Sequence, residues 1–80
     1  SSAASDVYKR QFVATFELTE RERDILEVLV VSDQSVQDIA ATLFLSRSTL
    51  YRHISSINKK TGTASRVALI NFFWSWTPND

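Results

Sequence analysis

The chain of 80 residues contains one glycine, Gly62, and one proline, Pro78, and almost none of the dipeptides that close β-hairpins. Antiparallel sheets depend on such dipeptides, because tight turns need residues with special backbone angles. Apolar residues instead recur at spacings of three and four, which is typical of amphipathic helices. The sequence therefore predicts an all-α fold, and its length predicts a single small domain.

Four hydroxyl residues mark the positions where helices should begin. Thr19 and Glu22 have the spacing of a capping box, and an apolar stripe follows over residues 20–31. The other three caps are serines that each precede a further helical pattern, namely Ser35, Ser46 and Ser65. Gly62 suits the left-handed position that ends the third of these helices. We therefore expect a compact domain of four helices.

The segment before the first predicted helix has no helical periodicity. Its first eleven residues, SSAASDVYKRQ, resemble the in-frame translation of a sequencing-library adaptor. We expect residues 1–11 to be a non-native or disordered tail, and a natural flexible terminus is the alternative. The remaining segments are expected to be a linker at 12–18, the folded domain at 19–76 and a C-terminal tail at 77–80. If the adaptor interpretation holds, an upstream sensor or receiver module is missing from this chain.

Charge is unevenly distributed along the chain, although nine Lys and Arg balance nine Asp and Glu. Residues 12–38 carry seven acids and two arginines, whereas residues 39–79 carry five cations and no acid. The second half could therefore attract a polyanion. The acids early in the first predicted helix stabilise its N-terminus, which explains them without a further function. Arg66 is expected to pair with Glu22.

The residue types present argue against an enzyme. The sequence has no cysteine and a single histidine, His53, so a disulfide or a thiolate metal site is excluded. No nucleophile, glycine-rich phosphate loop or metal cluster accompanies the carboxylates. We expect no catalytic residue, no metal and no cofactor. No apolar stretch could span a bilayer, so we expect a cytoplasmic location, or the cytoplasmic face of the membrane if the missing upstream part is a membrane sensor.

A short connection of three residues, 44–46, separates the second and third predicted helices, as in a helix-turn-helix. The third helix, about 47–61, has an apolar stripe and an opposite stripe of hydrogen-bond donors. Such a face can reach base edges and phosphates in a major groove, and an ordinary solvated face explains the same residues. The outward residues are Ser48, Tyr51, Arg52, Ser55 and Lys59.

Several motifs of the sequence occur together: Leu-Thr-x-Arg-Glu, Ile-Ala-x-x-Leu, Ser-x-x-Thr-Leu-x-x-His, and a later Lys-x-Gly and Ser-Arg. They comprise Leu18, Thr19, Arg21, Glu22, Ile39, Ala40, Leu43, Ser46, Thr49, Leu50, His53, Lys60, Gly62, Ser65 and Arg66. With these motifs, almost all of the chain after Thr15 resembles the DNA-binding domain of the LuxR-type transcriptional regulators. The resemblance implies a homodimer that binds double-stranded DNA sequence-specifically and regulates transcription.

The resemblance also implies that the third helix reads the major groove. Together with the outward stripe, it predicts DNA contacts for Arg47, Ser48, Thr49, Tyr51, Arg52, His53, Ser55, Lys59 and Lys60. Alternatives exist for some of them: Thr49 could complete the helix cap, His53 could be structural, and the two lysines complement the helix C-terminus. Tyr51 stands where the family commonly has Lys, which predicts a different base preference.

The fourth predicted helix, about 65–76, has more apolar surface than one core contact requires. One of its stripes contains Val67, Ile70 and Trp74. The other stripe is predicted to form the dimer interface, which the resemblance places on this helix, and it comprises Leu69, Phe72, Phe73 and Trp76. The alternative function is a protein-interaction module that binds a partner helix through this aromatic segment, with the basic face only solvated.

Overall fold

The computed structural model describes residues 2–31 and 33–78, and within these ranges it contains helices and no strand. The predicted all-α class is confirmed, with one helix more than expected. The five helices are α1 (Ser2–Thr15), α2 (Glu20–Val31), α3 (Val36–Thr42), α4 (Arg47–Thr61) and α5 (Arg66–Ser75).

The predicted caps begin the helices to which the sequence assigned them. The Thr19 hydroxyl accepts the Glu22 backbone N–H at 3.1 Å, and the Glu22 carboxylate accepts the Thr19 N–H at 2.8 Å. This reciprocal pair is the capping box at the start of α2. The hydroxyls of three serines accept backbone N–H groups at the starts of the later helices, namely Ser35, Ser46 and Ser65. Gly62 follows α4 with a φ of 72°, as predicted.

Helix α1 corrects the prediction of a disordered tail over residues 2–11 and of a linker from residue 12 to residue 15, while Ser1 lies outside the described residues. Residues from Ser2 onward are helical, and Phe12 is completely buried. The Tyr8 hydroxyl donates to the carbonyl oxygens of Phe73 and Trp76. Tyr8, Phe12 and Phe16 are spaced four residues apart, so they lie on one side of the helix and the turn that follows it. This aromatic spacing is the sequence signal that indicates α1. The origin of residues 1–11 stays a prediction.

The core lies between α2, α4 and α5, and α1 and α3 complete it. It contains aliphatic residues from every later helix and the ring of Phe12 from α1. The fully buried large side chains are Phe12, Ile25, Leu26, Leu29, Ile39, Leu50, Ile57, Leu69 and Phe73. The apolar stripes that the sequence predicts for α2, α3 and α4 therefore face one common core.

The aromatic stripe of α5 packs against the protein's own α1. Leu69 and Phe73 are buried in the core, with exposures of 0% and 1%. The rings of Phe72 and Trp76 lie 5.9 and 5.2 Å from the ring of Phe12, measured between centroids. These distances are typical of aromatic pairs. Leu69 and Phe73 thus have no surface for a second chain, which corrects their assignment to a dimer interface.

The opposite stripe of α5 remains open. Val67 is 66% exposed and Trp74 is 58% exposed, and the two residues are seven positions apart on one side of the helix. The Trp74 indole N–H donates to the Val30 carbonyl oxygen at 3.2 Å, which fixes the ring against the end of α2. The free apolar surface of α5 is therefore the stripe of Val67 and Trp74 and not the predicted interface of Leu69, Phe72, Phe73 and Trp76.

Candidate nucleic-acid interface

A tight turn over residues 43–46 joins α3 to α4. The backbone N–H of Leu45 donates to the Ala40 carbonyl oxygen at 2.8 Å, and that of Phe44 donates to Ala41 at 3.2 Å. The Arg21 guanidinium donates to the Leu43 carbonyl oxygen at 2.7 Å, which ties the turn to α2. Helices α3 and α4 and this turn form the helix-turn-helix that the sequence predicts.

Helix α4 has one buried face and one exposed face, as predicted. Leu50, Ile54 and Ile57 point into the core. The exposed side chains are hydroxyls, an aromatic ring and cations, all of which can donate hydrogen bonds. The exposed residues of this face are Ser48, Tyr51, Arg52, Ser55 and Lys59.

Three cations of α4 have no counter-charge among the residues that the structure describes. Over residues 2–31 and 33–78, the side chains of Arg47, Arg52 and Lys59 form no ion pair and no hydrogen bond. By contrast, Arg21 and Arg23 of α2 lie within 4 Å of carboxylates of the same helix. An unpaired cation is free to neutralise an external anion. Helix α4 thus offers three cations to a partner, and Lys9 and Arg10 of α1 are likewise without an ion pair among the described residues.

Lys60, for which the sequence also predicts a DNA contact, differs from its neighbour because it is bonded within the protein. Its ammonium group lies 2.7 Å from a carboxylate oxygen of Glu22 and donates to the Glu17 carbonyl oxygen at 3.1 Å. Lys60 therefore holds α4 against α2.

The predicted Arg66–Glu22 pair is wrong, since Arg66 instead donates to the Gln34 carbonyl oxygen at 2.5 Å.

The Glu22 carboxylate is the buried centre of this contact. Its side chain is 5% exposed and accepts hydrogen bonds from Lys60, from the Ser56 hydroxyl at 2.7 Å and from the Thr19 backbone. Burial alone would raise the pKa of Glu22, but these hydrogen bonds and the Lys60 charge outweigh burial and lower the pKa to about 2. The group is ionised at neutral pH and links α2 to the C-terminal half of α4.

A cleft of about 380 Å³ runs along the flank of α4 beside Glu22. Thr49 lies in it, and the Ser46 hydroxyl donates to the Thr49 hydroxyl at 2.9 Å, so Thr49 belongs to the cap of α4 as well. His53 is half-buried in the cleft. The lining consists of the ionised carboxylate of Glu22, its hydrogen-bond donor Ser56, and five residues of the predicted DNA-contacting set: Thr49, Arg52, His53, Ser55 and Lys59.

The described residues contain neither a metal site nor a membrane-spanning helix. No group of three His, Asp or Glu side chains in residues 2–31 and 33–78 is arranged to hold a metal ion. None of the described helices is long and apolar enough to cross a membrane.

The structure brings together features that sequence reasoning missed. Glu22 and Lys60 are separated by 38 positions, and no local pattern joins them. Phe44 is 94% exposed and has a left-handed backbone with a φ of 57°, which a bulky residue rarely adopts. The sequence shows that Phe44 stands between two leucines, but it does not show the backbone conformation of Phe44 or the exposure of its ring.

A helix-turn-helix whose second helix carries unpaired cations and hydroxyls on its exposed face is typical of DNA-binding domains. The sequence profile of the family described as "Bacterial regulatory proteins, luxR family" matches residues 17–73. The chain is also 38% identical over 58 residues to the spore germination protein GerE of Bacillus subtilis (strain 168), which covers 72% of this chain and 77% of GerE. The chain belongs to the luxR family of bacterial regulatory proteins. No solved structure gave a significant match.

Membership of this family confirms the coarse functional prediction. The family consists of DNA-binding regulators of transcription, so this chain is a DNA-binding domain that acts in transcription regulation. It is not a family of enzymes. The match begins at residue 17, after the end of α1. Helix α1 thus lies outside the segment that the family profile matches.

Proposed function

We propose that this domain binds double-stranded DNA sequence-specifically by placing α4 in the major groove. The observation that carries the proposal is the set of three unpaired, exposed cations on α4, Arg47, Arg52 and Lys59. Arg52 and Lys59 lie opposite the apolar stripe that anchors the helix in the core, and Arg47 is exposed at the N-terminal end of the helix. A helix held in this way can enter a groove without exposing apolar surface or unfolding.

The side chains of α4 divide into two roles in this proposal. Tyr51 and Arg52, on the exposed face, are placed to contact base edges, since Arg pairs with guanine and a ring can contact a thymine methyl group. The remaining predicted residues are assigned to contacts with phosphate groups. They are hydroxyl residues, cations and one histidine, and they lie close to the helix N-terminus or to the cleft. These are Arg47, Ser48, Thr49, His53, Ser55 and Lys59. Lys60 positions the helix and does not contact DNA.

We also propose that the domain acts as a homodimer through the open stripe of α5. Val67 and Trp74 supply an exposed apolar surface on a helix whose Leu69 and Phe73 are buried in the core. Pairing of two such stripes would place two copies of α4 on half-sites about one DNA turn apart. A regulator that binds the bacterial chromosome acts in the cytoplasm, which is where we place this domain.

A salt titration of DNA binding tests the proposal. Fluorescence anisotropy with a mixed-sequence duplex should give an affinity that falls steeply with salt, because each phosphate contact contributes about 0.9 to the log–log slope. Arg52→Ala should weaken binding by about 1–3 kcal/mol if the side chain reads a base, and should lower the slope by about 1 if it contacts phosphate. Arg10→Ala, which removes an exposed arginine of α1, is the matched control and should change neither quantity.

If the wild type binds DNA and Arg52→Ala binds it with the same affinity and salt slope, α4 has no part in the mechanism. No binding at low salt would instead favour the alternative of a protein-interaction module in residues 65–76. That alternative has lost much of its surface, because the rings of Phe72 and Phe73 pack within the protein itself. Its remaining surface is the stripe of Val67 and Trp74.

A further inference from the structure

Phe44 has the highest exposure of the large hydrophobic side chains in the described residues, at 94%. Its neighbours Leu43 and Leu45 are half-buried and pack against the core. Alternation in this turn therefore directs the ring of Phe44 away from the protein. The ring contributes almost nothing to burial of apolar surface, so packing within the domain does not explain its presence.

The backbone does not explain it either. Phe44 has a φ of 57°, in the left-handed region, where glycine or asparagine fits with less strain than a residue with a bulky side chain. The conformation is imposed by the turn, whose backbone N–H groups at Phe44 and Leu45 donate to carbonyl oxygens of α3. A strained position that exposes a large apolar ring is a reason to look for a function of the ring.

The position of Phe44 indicates the partner. Phe44 lies two residues before the cap of α4, Ser46, and three before Arg47, one of the unpaired cations. Three residues of chain span at most about 11 Å. In a helix-turn-helix bound to DNA, the first helix crosses the backbone and the N-terminal end of the second enters the groove. The turn between them then faces the wall of the groove.

We propose that Phe44 makes an apolar contact with bound DNA at the wall of the major groove. The ring fits the carbon surface of DNA, which is offered by deoxyribose and by the thymine methyl group. This inference rests on the proposed function, and it adds a salt-independent contact to an interface otherwise composed of cations and hydroxyls. In this proposal Phe44 is a DNA-contacting residue outside α4.

The test compares Phe44→Asn with the wild type on one duplex selected from a random pool by the wild-type protein. We expect Phe44→Asn to bind about tenfold more weakly at every salt concentration, with the same log–log slope, because no phosphate contact is lost. Phe44→Gly should behave alike, and Phe44→Tyr, which keeps the ring, should retain wild-type affinity. Thermal unfolding should show that the Asn and Gly variants are folded, since both residues accept the left-handed backbone.

Two further arms make the result specific. A duplex with deoxyuridine in place of thymidine lacks the methyl groups, so a smaller effect of Phe44→Asn on that duplex identifies a methyl contact and an unchanged effect identifies deoxyribose. Val7→Asn, which changes an exposed apolar side chain of α1, is the control and should bind like the wild type.

Unchanged affinity of Phe44→Asn and Phe44→Gly would overturn the inference. If Arg52→Ala still weakened binding in the same assay, the proposed function would stand and only the role of Phe44 would fall. If the wild type bound no duplex, the proposed function would fall and this inference with it. Unchanged DNA affinity with lost transcription in vitro would assign Phe44 to a protein partner and would equally overturn a DNA contact.

Discussion

Lys59 and Lys60 are adjacent in α4, but their side chains have different surroundings. Lys59 is exposed and has no partner among the residues that the structure describes, whereas Lys60 bonds to Glu22 and Glu17 of the same protein. Identical side chains one position apart therefore allow the DNA-binding and positioning roles to be separated. Lys60 neutralises a carboxylate of the protein itself, and we propose that Lys59 neutralises a phosphate of bound DNA.

Substitution of each lysine should have a different effect. Lys59→Ala should lower the salt slope of DNA binding by about 1 and change the free energy of unfolding by less than about 0.5 kcal/mol. Lys60→Ala should lower the free energy of unfolding by about 1–3 kcal/mol, because a buried carboxylate loses its charged donor. Denaturant unfolding and the salt titration measure the two effects. Equal effects of the two variants on both quantities would contradict the separation of roles.

Glu22 should make the stability of the domain depend on pH in the acid range. The pKa of Glu22 is lowered from 4.5 to about 2 on folding, so the unfolded chain takes up a proton more readily than the folded one. This contribution is fully present above pH 4.5 and is lost as pH falls towards 2, and a shift of this size is worth on the order of 3 kcal/mol. Denaturant unfolding from pH 7 to pH 2 measures it.

The matched variant for this pH dependence is Glu22→Gln, which keeps the shape of the side chain without its titration. It should be less stable than the wild type at pH 7, since the amide leaves Lys60 without a counter-charge. Its stability should also change less between pH 4.5 and pH 2. A Gln variant with the full acid dependence of the wild type would show that other carboxylates cause it.

At the scale of the elements, α1 is expected to stabilise the domain through its buried ring. Phe12→Ala should lower the free energy of unfolding by about 3–5 kcal/mol, because it opens a cavity among Phe16, Phe72, Phe73 and Trp76. Gln11→Ala, at the exposed neighbouring position, should change it by less than about 0.5 kcal/mol. Thermal or denaturant unfolding followed by circular dichroism distinguishes them. Equal stability of the two variants would mean that α1 does not pack as described.

For the whole molecule, the open stripe of α5 should decide the state of association. Val67→Glu should abolish the homodimer while the monomer stays folded, because two carboxylates would face each other in an apolar contact. Val7→Glu, which changes an exposed valine of α1, should leave association unchanged. Analytical ultracentrifugation on a duplex with two half-sites, with circular dichroism as a check of fold, measures the effect. A dimer that survives Val67→Glu would place the interface elsewhere.

The sequence by itself determined where α2 to α5 begin and which face of α4 is buried. A hydroxyl cap acts on backbone groups three residues away, and an apolar stripe repeats every three or four residues, so both signals are contained in a few turns of chain. Ser35, Ser46 and Ser65 therefore cap the helices for which they were predicted. The same local motifs were sufficient to indicate the luxR family.

Only the tertiary structure decided which predicted residues are free to act. Lys60 is paired with a carboxylate 38 positions away, and the Tyr8 hydroxyl reaches a carbonyl 65 positions away. Neither contact has a local pattern, because each forms only when two helices pack against each other. For the same reason the sequence showed two apolar stripes on α5 but not which one the core would bury. Packing against α1 buried Phe73 and left Val67 exposed.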